Sequence, residues 1–274
     1  MAALVIIVLA GLYLFMLRPC CSRERISRMK PFEETLIAHR GFFDNASEAP
    51  ENSLPAFGRA VERGFGIELD VQLTADGKLV VFHDESLKRM CGCAGKLYEK
   101  TWEELQRLCL ADLEEKIPLF SDVLKLVDGK VPMILEVKPE GDVIRTAAEL
   151  ARQLEGYRGI YCMESFHPLA LRWFRKNRPE VIRGQFSSDF FRDGSGKNPA
   201  ASFIAANLLC NFLAKPDFIA YNIQYYNMPS YWLCRKLYPV EKVCWTIRSA
   251  RQLEKARNMC DVFIFDGFDP ERSL

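Results

Sequence analysis

Acidic and histidine side chains interrupt apolar, strand-like segments in the first third of the sequence. The stretch IELDVQLTADGKLVVFHD, residues 67–84, alternates as two strands would, yet Glu68, Asp70, His83 and Asp84 lie among its apolar residues. Charged groups seldom enter a protein interior unless they are paired or bind an ion. Glu68 and Asp70 are two positions apart, so their side chains point to the same face of a strand. This clustering indicates a chemical site rather than an ordinary solvated strand end.

A third acidic residue extends this set of oxygen ligands. Glu136 and Lys138 lie two positions apart in another strand-like segment. Carboxylates from neighbouring strands favour a hard divalent cation such as Mg²⁺ or Ca²⁺. Glu68, Asp70 and Glu136 are therefore the candidate metal ligands, and Lys138 can neutralise an anionic group held beside the metal.

Two of the three histidines lie at strand ends. His39 is followed by Arg40, and His83 lies near the end of the stretch described above. An imidazole titrates near neutral pH, as a general base and a general acid require. Together with Arg40, Lys138 and a metal, the pair favours cleavage of a phosphodiester. Trp245 lies at another strand end. A tryptophan there can form a pocket wall or pack in the core, and we weigh these two roles equally.

The elements that must position these residues alternate between strand-like and amphipathic, helix-like segments. Apolar strands that alternate with helices imply parallel pairing, with the helices outside the sheet. We predict nine strands: 35–41, 66–74, 78–84, 131–139, 159–165, 181–186, 217–223, 241–247 and 261–267. Nine is one more than an eight-stranded barrel requires.

A tight turn accounts for the additional strand. Asp76-Gly77 separates two alternating apolar runs, which is a strong hairpin signal and leaves too few residues for a parallel crossover. Residues 78–84 are therefore expected to pair antiparallel with 66–74. With a two-residue loop the paired positions sum to 153, which places His83 opposite Asp70. Eight parallel strands remain, and the predicted fold is an α/β (β/α)₈ TIM barrel with active-site residues at one rim.

The first residues differ in composition from the rest. Residues 2–17 carry no charge, and basic residues follow them. We predict a transmembrane anchor at 1–18, a basic juxtamembrane linker at 19–34 and the catalytic domain at 35–274 on the cytoplasmic face. A cleaved signal peptide fits less well because the basic n-region is missing. The apolar segment 201–214 favours a buried barrel helix, and a loop that dips into the membrane is the alternative.

Charge and cysteine usage narrow the remaining classes. The chain has 37 basic and 36 acidic residues, so no overall basic surface argues for nucleic acid as a partner. The ten cysteines have no framework spacing and are expected to be free thiols in the cytosol. Cys91 and Cys93 lack a second pair with zinc spacing. Seven cysteines lie in apolar or helix-like surroundings: Cys20, Cys109, Cys162, Cys210, Cys234, Cys244 and Cys260.

These motifs, in this order, resemble the glycerophosphodiester phosphodiesterase family, specifically a membrane-anchored, bacterial-type member. The similarity extends from about residue 35 to the end and is strongest before residue 140. Any one motif would be weak evidence, whereas the ordered set is specific. The matching segments include IAHRGFFDNASEAPENSLPAF (37–57), IELDVQLTADGKLVVFHDESLKR (67–89), ILEVKP (134–139), SFHPLAL and VCWTI.

The resemblance implies metal-dependent hydrolysis of a glycerophosphodiester to glycerol 3-phosphate and an alcohol. It implies that His39 and His83 are the acid–base pair, that Glu68, Asp70 and Glu136 hold the divalent cation, and that Arg40 and Lys138 contact phosphate. Residues 85–115 match a small insertion, after the second strand, that covers the site. We favour His39 as base and His83 as acid; water and the glycerol 2-hydroxyl both remain candidate nucleophiles.

Two segments depart from the family pattern. In the segment that begins at Trp245, Arg248 stands where the family usually has a small amide residue, and this change bears on the headgroup preference. Residues 265–270 replace the usual ending of the last strand. Neither change is expected to touch the metal or acid–base residues. His167 precedes Pro168 and is interpreted as a helix cap, and Asn52 as a residue that organises its loop.

Two other functions are consistent with the same residues. One is lysophospholipase D-type hydrolysis of lysophospholipids, or phospholipase D activity of the sphingomyelinase type, on the same fold. The other is a catalytically silent, membrane-anchored binding protein. Two intact proton-transfer groups argue against a pure binder, since binding alone requires neither. The sequence identifies no protein partner.

Overall fold

A computed structural model describes residues 1–196 and 198–271 of the chain. Eight parallel strands close into a barrel: the sheet order is β1-β9-β8-β7-β6-β5-β4-β2-β3, and β1 also pairs with β2. The predicted (β/α)₈ barrel is confirmed. The strands are β1 Ile37–His39, β2 Gly66–Leu73, β3 Leu79–Val81, β4 Met133–Val137, β5 Tyr161–Ser165, β6 Arg183–Ser187, β7 Phe218–Asn222, β8 Glu241–Ile247 and β9 Val262–Phe265.

Helices cover the outside of the barrel and connect its strands. They are α1 Ala2–Leu17, α2 Arg23–Ser27, α3 Lys30–Glu33, α4 Leu54–Glu62, α5 Lys88–Cys91, α6 Trp102–Leu105, α7 Phe120–Val127, α8 Val143–Gln153, α9 Pro168–Asn177, α10 Pro199–Ala206, α11 Asn211–Ala214, α12 Pro229–Leu237 and α13 Ala250–Ala256. Short 3₁₀ turns occupy Leu97–Glu99 and Ile223–Tyr225. His167 caps α9, as expected, by accepting a hydrogen bond from the amide of Leu169.

The hairpin forms as predicted, but its register differs by one residue. Val71 pairs with Val81 and Leu73 with Leu79, so paired positions sum to 152 instead of 153. Thr74 still bonds to Lys78, which leaves a three-residue loop in which Gly77 has a φ of +78°. A three-residue hairpin loop needs one left-handed residue, and glycine adopts that conformation without strain. Phe82, not His83, therefore lies opposite Asp70, and His83 follows the strand.

Strand alternation divides the barrel into an inner and an outer core. In β4, Ile134 belongs to the apolar cluster inside the barrel, whereas Met133, Leu135 and Val137 pack in the layer between strands and helices. Glu136 follows Ile134 by two residues and therefore also points inward, toward the carboxyl ends of the strands. On this inward face the apolar Ile134 lies nearer the amino end of β4, and the acidic Glu136 lies nearer its carboxyl end.

Residues of the predicted linker close the opposite end of the barrel. Met29 and Phe32 are buried in the inner apolar cluster. Arg25 holds this segment in place with a bidentate contact to Asp217, at 2.6 and 2.7 Å. The segment 19–34 thus packs against the barrel, and its interpretation as a separate linker stays a prediction.

The transmembrane prediction for residues 1–18 is not confirmed. Helix α1 has 16 residues, about 24 Å of helix, whereas the hydrocarbon core of a bilayer is about 30 Å thick. It ends because Arg18 precedes Pro19 and takes an extended conformation. In the part of the chain that the structure describes, no helix combines the length and apolar character needed to cross a membrane. The cytoplasmic location stays a prediction.

The cysteine prediction is wrong for one pair. Cys244 in β8 and Cys260, just before the neighbouring strand β9, form a disulfide bond with Cα atoms 6.2 Å apart. The residues are 16 positions apart, and the parallel pairing of their strands brings them within disulfide range. The other eight cysteines are free.

Residues 84–117 form the small insertion, which follows the hairpin. They contain α5, a 3₁₀ turn and α6, and they pack on the outer side of β3. Their apolar side chains form a cluster with Val80 and Phe82 of the hairpin: Leu87, Met90, Leu97, Leu105, Leu110 and Ile117.

Candidate active site

Three carboxylates converge at the carboxyl end of the barrel. Glu68 and Asp70 come from β2 and Glu136 from the neighbouring β4, where Asp70 and Glu136 are direct register partners. Each residue is buried, and one ligand atom from each lies within 4.8 Å of the others. The structure therefore brings together all three predicted metal ligands.

Their hydrogen bonding leaves one oxygen of each acid without a donor. Glu68 Oε1, Asp70 Oδ1 and Glu136 Oε1 are buried and accept no hydrogen bond from the described residues. The last two lie 3.2 and 3.0 Å from Lys138 Nζ, as ion pairs without hydrogen-bond geometry. A buried carboxylate oxygen without a donor is costly. The donor set therefore fits a hard divalent cation.

Neighbouring groups hold the second oxygens of Glu68 and Asp70 in position. The backbone amide of Arg40 donates to Glu68 Oε2 at 3.1 Å, and the side-chain amide of Asn52 donates to Asp70 Oδ2 at 2.8 Å. Both Arg40 and Asn52 have a φ of +58°, which turns the chain after β1 back toward β2. The loop thus orients the candidate ligands as well as connecting elements.

Burial and mutual repulsion separate the proton affinities of the three acids. Burial, followed by the charges of Asp70 and Glu136, raises the pKa of Glu68 well above its usual value. Burial also raises the pKa of Glu136, to about 8. For Asp70 burial acts in the same direction, but Lys138, His83 and Arg40 lower its pKa well below the usual value.

His39 is held by a carboxylate from the last strand. Its Nδ1 lies 2.8 Å from Asp266 Oδ2, and Arg248 Nε donates to Asp266 Oδ1 at 2.9 Å. A carboxylate accepts hydrogen bonds, so Nδ1 carries the proton and Nε2 is left for chemistry. Nε2 points toward the acidic cluster, 3.8 Å from Glu68 Oε2.

His83 is held in the same way as His39, by an aspartate that is itself bound by an arginine. Its Nδ1 lies 2.6 Å from Asp84 Oδ1, and Arg89 of α5 contacts both oxygens of Asp84, at 2.7 and 3.0 Å. Arg89 also binds both oxygens of Glu51, at 2.7 and 2.8 Å. Gln72 fixes the backbone here by donating to the carbonyl oxygens of Phe82 and Asp84, at 2.8 and 2.9 Å.

The position of His83 next to the acids follows from the hairpin. The amide of Phe82 donates to the carbonyl of Asp70 at 2.9 Å, so the next residue lies beside the acidic cluster. Burial, followed by the charge of Lys138, lowers the pKa of His83 to about 4. Burial and Arg40 likewise lower the pKa of His39. In both rings burial therefore favours the neutral imidazole.

The three predicted substrate residues have different environments. Lys138 is buried between Asp70 and Glu136, which raise its pKa although burial opposes them. Arg40 Nη1 is paired with Glu51 Oε1 at 2.6 Å. Trp245 stacks on Phe186 with the ring centroids 4.3 Å apart, and its Nε1 donates to a backbone carbonyl. Trp245 is therefore part of an aromatic cluster within the barrel.

A fourth buried acid lies beside the cluster and was not predicted. Glu164 of β5 is the register partner of Glu136, and neither of its carboxylate oxygens accepts a hydrogen bond from the described residues. Burial, followed by the charges of Glu68 and Glu136, raises its pKa well above the usual value. An acid inside the strand-like segment 159–165 was the signal available in the sequence.

The expectation that the family departures do not touch the acid–base residues is wrong. Asp266 and Arg248, which lie in the two altered segments, are the groups that hold His39. Position 266 is 227 residues from His39, and only closure of the barrel through β1 and β9 brings them together. Arg89 was likewise missed, since nothing in its local sequence pairs it with Asp84.

Comparison with known proteins shows which family the chain belongs to. Residues 39–209 match the model of the glycerophosphoryl diester phosphodiesterase family, which is more than half of the chain. The chain belongs to this family. The matched segment contains both histidines, the three clustered acids and the residues that link them, apart from Arg248 and Asp266.

Curated relatives include two bacterial glycerophosphodiester phosphodiesterases. The protein from Bacillus altitudinis is 35% identical over 158 residues, which is 53% of this chain and 63% of the relative. That from Caldanaerobacter subterraneus is 36% identical over 162 residues, 54% of this chain and 65% of the relative. The chain thus spans somewhat less than two thirds of the length of these relatives.

Solved structures share the fold. A phosphodiesterase of Oleispira antarctica, in complex with the product sn-glycerol 3-phosphate, has a TM-score of 0.69 and 23% identity, and covers 86% of this chain and 94% of its own. A glycerophosphodiester phosphodiesterase of Parabacteroides distasonis has a TM-score of 0.66 and 23% identity, and covers 87% and 94%. At this level of identity the likeness establishes the barrel.

Proposed function

We propose that the protein hydrolyses glycerophosphodiesters to glycerol 3-phosphate and an alcohol, with a divalent cation and two histidines. The observation that carries the proposal is a cluster of three buried carboxylates, each with an oxygen that accepts no hydrogen bond of regular geometry from the described residues, flanked by two imidazoles that are each held through Nδ1. Membership of the phosphodiesterase family supports the same reaction class.

Glu68, Asp70 and Glu136 would hold Mg²⁺ or Ca²⁺. When bound, the cation supplies positive charge that stabilises the charge developing on phosphate oxygens. Asn52 and the Arg40 amide hold two of the ligands in the orientation that the site requires. These contacts are made before any substrate enters, so the ligand geometry costs little reorganisation during the reaction.

The two histidines would move protons on opposite sides of the phosphate. We assign His39 as the base that deprotonates the nucleophile, either water or the glycerol 2-hydroxyl, and His83 as the acid that protonates the leaving alcohol. Each Nδ1 is engaged by a carboxylate, which leaves each Nε2 as the nitrogen available for proton transfer. Asp266 and Asp84 stabilise the cationic form of each ring when it carries the proton.

Lys138 and Arg40 would bind the phosphate. Both cations lie beside Asp70, at 3.2 and 3.6 Å, and therefore at the edge of the carboxylate cluster where a phosphate oxygen would lie. Trp245 would form one wall of the pocket for the alcohol, since it lies in the aromatic cluster of the barrel near the same end.

A second candidate is lysophospholipase D-type hydrolysis of lysophospholipids at the same site. Large apolar side chains exposed after β6 favour it: Phe191 and Phe203 are each 55% exposed. These residues follow the carboxyl end of a barrel strand, the end that carries the acidic cluster. A catalytically silent binder receives no support, because both imidazoles are oriented by carboxylates.

The test is a substrate panel with and without chelator. Glycerophosphodiesters of several alcohols and the matching lysophospholipids are incubated with the full chain in EDTA, and then with Mg²⁺ or Ca²⁺ restored. We expect release of glycerol 3-phosphate, or of its acylated form, only when a divalent cation is present. Equal turnover in EDTA would contradict the metal proposal, and full turnover by His39→Ala would contradict the acid–base assignment.

A further inference from the structure

Helix α1 exposes apolar side chains on every side of its first half. Residues 4–9 are consecutive, and each is between 56% and 67% exposed. Six consecutive residues cover more than one full turn, so no face of this segment is polar or covered. A helix that docks in a protein groove keeps a polar face, whereas one that is apolar all round requires apolar surroundings on all sides.

The second half of α1 fixes its direction on the barrel. Tyr13 donates to Ser230 at 2.8 Å, and the side-chain amide of Asn211 donates to the carbonyl of Leu17 at 2.9 Å. Just beyond the helix, the amide of Cys20 donates to the carbonyl of Pro216 at 2.8 Å. Ser230 opens α12, after the carboxyl end of β7, whereas Pro216 precedes the amino end of β7. The helix therefore runs from the catalytic end to the opposite end.

The exposed half of α1 consequently projects beyond the catalytic end of the barrel. Residues 2–12 of the helix are exposed without interruption and span roughly 16 Å, at 1.5 Å per residue. That is about half of a bilayer's hydrocarbon core of about 30 Å, or one leaflet. The direction matters because the candidate active site opens at the same end.

A second apolar element lies next to it. Phe191, Phe203 and Ile204, in the segment after β6, are 55%, 55% and 39% exposed. The hydroxyl of Ser230, which accepts from Tyr13, donates to Asn207 at the end of α10. This chain of hydrogen bonds joins α1, α12 and α10 into one surface. Arg192, beside Phe191, adds a largely exposed cation at the same rim.

We propose that the first half of α1, together with Phe191, Phe203 and Ile204, is a membrane-docking surface that enters one leaflet and places the catalytic end against the lipid. Lipid is the occupant because it surrounds a helix on all sides, whereas a second copy of the chain would cover one face. The substrate class that follows rests on the proposed function. It is an amphiphilic diester, a lysophospholipid, whose headgroup reaches the site while its acyl chain stays in the leaflet.

The experiment measures binding without reference to turnover. The full chain is floated with vesicles of phosphatidylcholine and phosphatidylglycerol, and a double variant, Ile6→Asp with Leu9→Asp, is compared with Ile160→Asp. Ile160 is 47% exposed and precedes β5 at the opposite end of the barrel. We expect the double variant to lose at least about tenfold in vesicle partitioning, since carboxylates are costly at acyl depth. Ile160→Asp should bind as the parent does.

Equal partitioning of the parent and the double variant, or no binding of the parent, overturns the proposal. The proposal is also overturned if, without vesicles, the parent is a dimer and the double variant is a monomer. A second copy of the chain would then cover the helix. Phe203→Asp, at a site separate from α1, is expected to reduce partitioning as well. It remains informative if the double variant fails to fold.

Turnover separates this inference from the proposed function. The double variant should hydrolyse a water-soluble glycerophosphodiester at the parent's rate and a vesicle-borne lysophospholipid at least about tenfold more slowly. Vesicle binding without hydrolysis of either substrate would refute the proposed function and leave docking standing. Hydrolysis of both substrates at unchanged rates by the double variant would refute docking and leave the proposed function standing.

Discussion

The two histidines of the site have the same partners in the same order but differ in how firmly those partners are anchored. His39 and His83 each meet an aspartate through Nδ1, at 2.8 and 2.6 Å. Each aspartate in turn accepts from an arginine, Arg248 or Arg89. The neutral form of both rings is therefore the same tautomer, with the proton on Nδ1 and Nε2 unprotonated.

The arginines differ in what else they bind. Arg89 contacts both oxygens of Asp84 and both oxygens of Glu51, and Glu51 also pairs with Arg40. Among the residues that the structure describes, Arg248 pairs with a single carboxylate, that of Asp266. The partners of His83 are thus part of a network that reaches a candidate phosphate-binding residue, whereas those of His39 end at one arginine. The hydrogen bond from Nδ1 to an aspartate is thus supported by a shared network at His83 and by a single ion pair at His39.

Removing either ring should produce the largest effect. We expect His39→Ala and His83→Ala each to lower kcat by roughly 10²–10⁴-fold, the usual contribution of a general acid or base. Steady-state kinetics on a glycerophosphodiester, with circular dichroism to verify the fold, measures it. His167→Ala, which removes a helix cap, is the matched control and should keep kcat. A loss below tenfold in either catalytic variant would rule out proton transfer by that ring.

Changing the aspartates tests whether they hold the tautomer. We expect Asp84→Asn and Asp266→Asn to lower kcat by about 10²-fold with little change in KM, because an amide can present its carbonyl or its NH₂ group to Nδ1. Nitrogen chemical shifts of the labelled rings should show loss of the Nδ1–H form in the affected histidine only. Unchanged ring shifts together with unchanged kcat would dismiss the proposed role of these acids.

Removing Arg89 tests the shared network. Arg89→Met should lower kcat by about tenfold and destabilise the fold by about 1–2 kcal/mol, since the buried carboxylate of Glu51 loses two hydrogen bonds. Arg107→Met is the control: Arg107 lies in the same insertion in an exposed pair with Glu103, worth at most about 0.5 kcal/mol. Equal kinetics and equal unfolding free energies for the two variants would argue against the network.

The stability contribution of this network should depend on pH. Burial would raise the pKa of Glu51, but Arg89 and Arg40 lower it to about 2. A carboxyl whose folded-state pKa is depressed stabilises the fold above its unfolded pKa, and this stabilisation is lost as pH falls toward the folded value. The difference in unfolding free energy between the parent and Arg89→Met should have its largest value at pH 6 and decrease between about pH 4.5 and 2. A difference that is constant across that range would contradict this assignment.

Removing Arg248 should have the smallest effect. Arg248→Met leaves the bond between His39 and Asp266 in place and removes one ion pair, so we expect a two- to fivefold fall in kcat and less than about 1 kcal/mol in stability. Kinetics and thermal unfolding beside Arg89→Met give the comparison directly. A larger loss for Arg248→Met than for Arg89→Met would reverse the order of anchoring.

Local periodicity was sufficient to predict the barrel and the acidic cluster. Alternation placed Glu68 and Asp70 on one face, and parallel pairing of β2 with β4 brought Glu136 beside them. The hairpin register was wrong by one residue because the loop closes around Gly77 with three residues, not two. A loop length cannot be read from the Asp-Gly pair alone.

Contacts between residues that are far apart in the sequence could not be predicted. Asp266 meets His39 across 227 positions, and Cys244 meets Cys260 only because β8 and β9 are neighbours. Arg89 reaches Asp84 and Glu51 from the insertion, whose path over the site has no periodic signal. The apolar character of residues 2–17 was plain in the sequence, whereas their direction along the barrel depends on contacts with Ser230 and Asn211.

The most direct test of unequal proton-transfer roles is the dependence of each histidine variant on the leaving group. kcat is measured for the parent, His39→Ala and His83→Ala on glycerol 3-phosphate diesters of an alkyl alcohol and of p-nitrophenol, which departs without needing a proton. We expect His83→Ala to regain at least about tenfold on the nitrophenyl diester and His39→Ala to be equally impaired on both. If neither variant changes its relative activity between the two diesters, His83 is not the acid and the paired assignment fails.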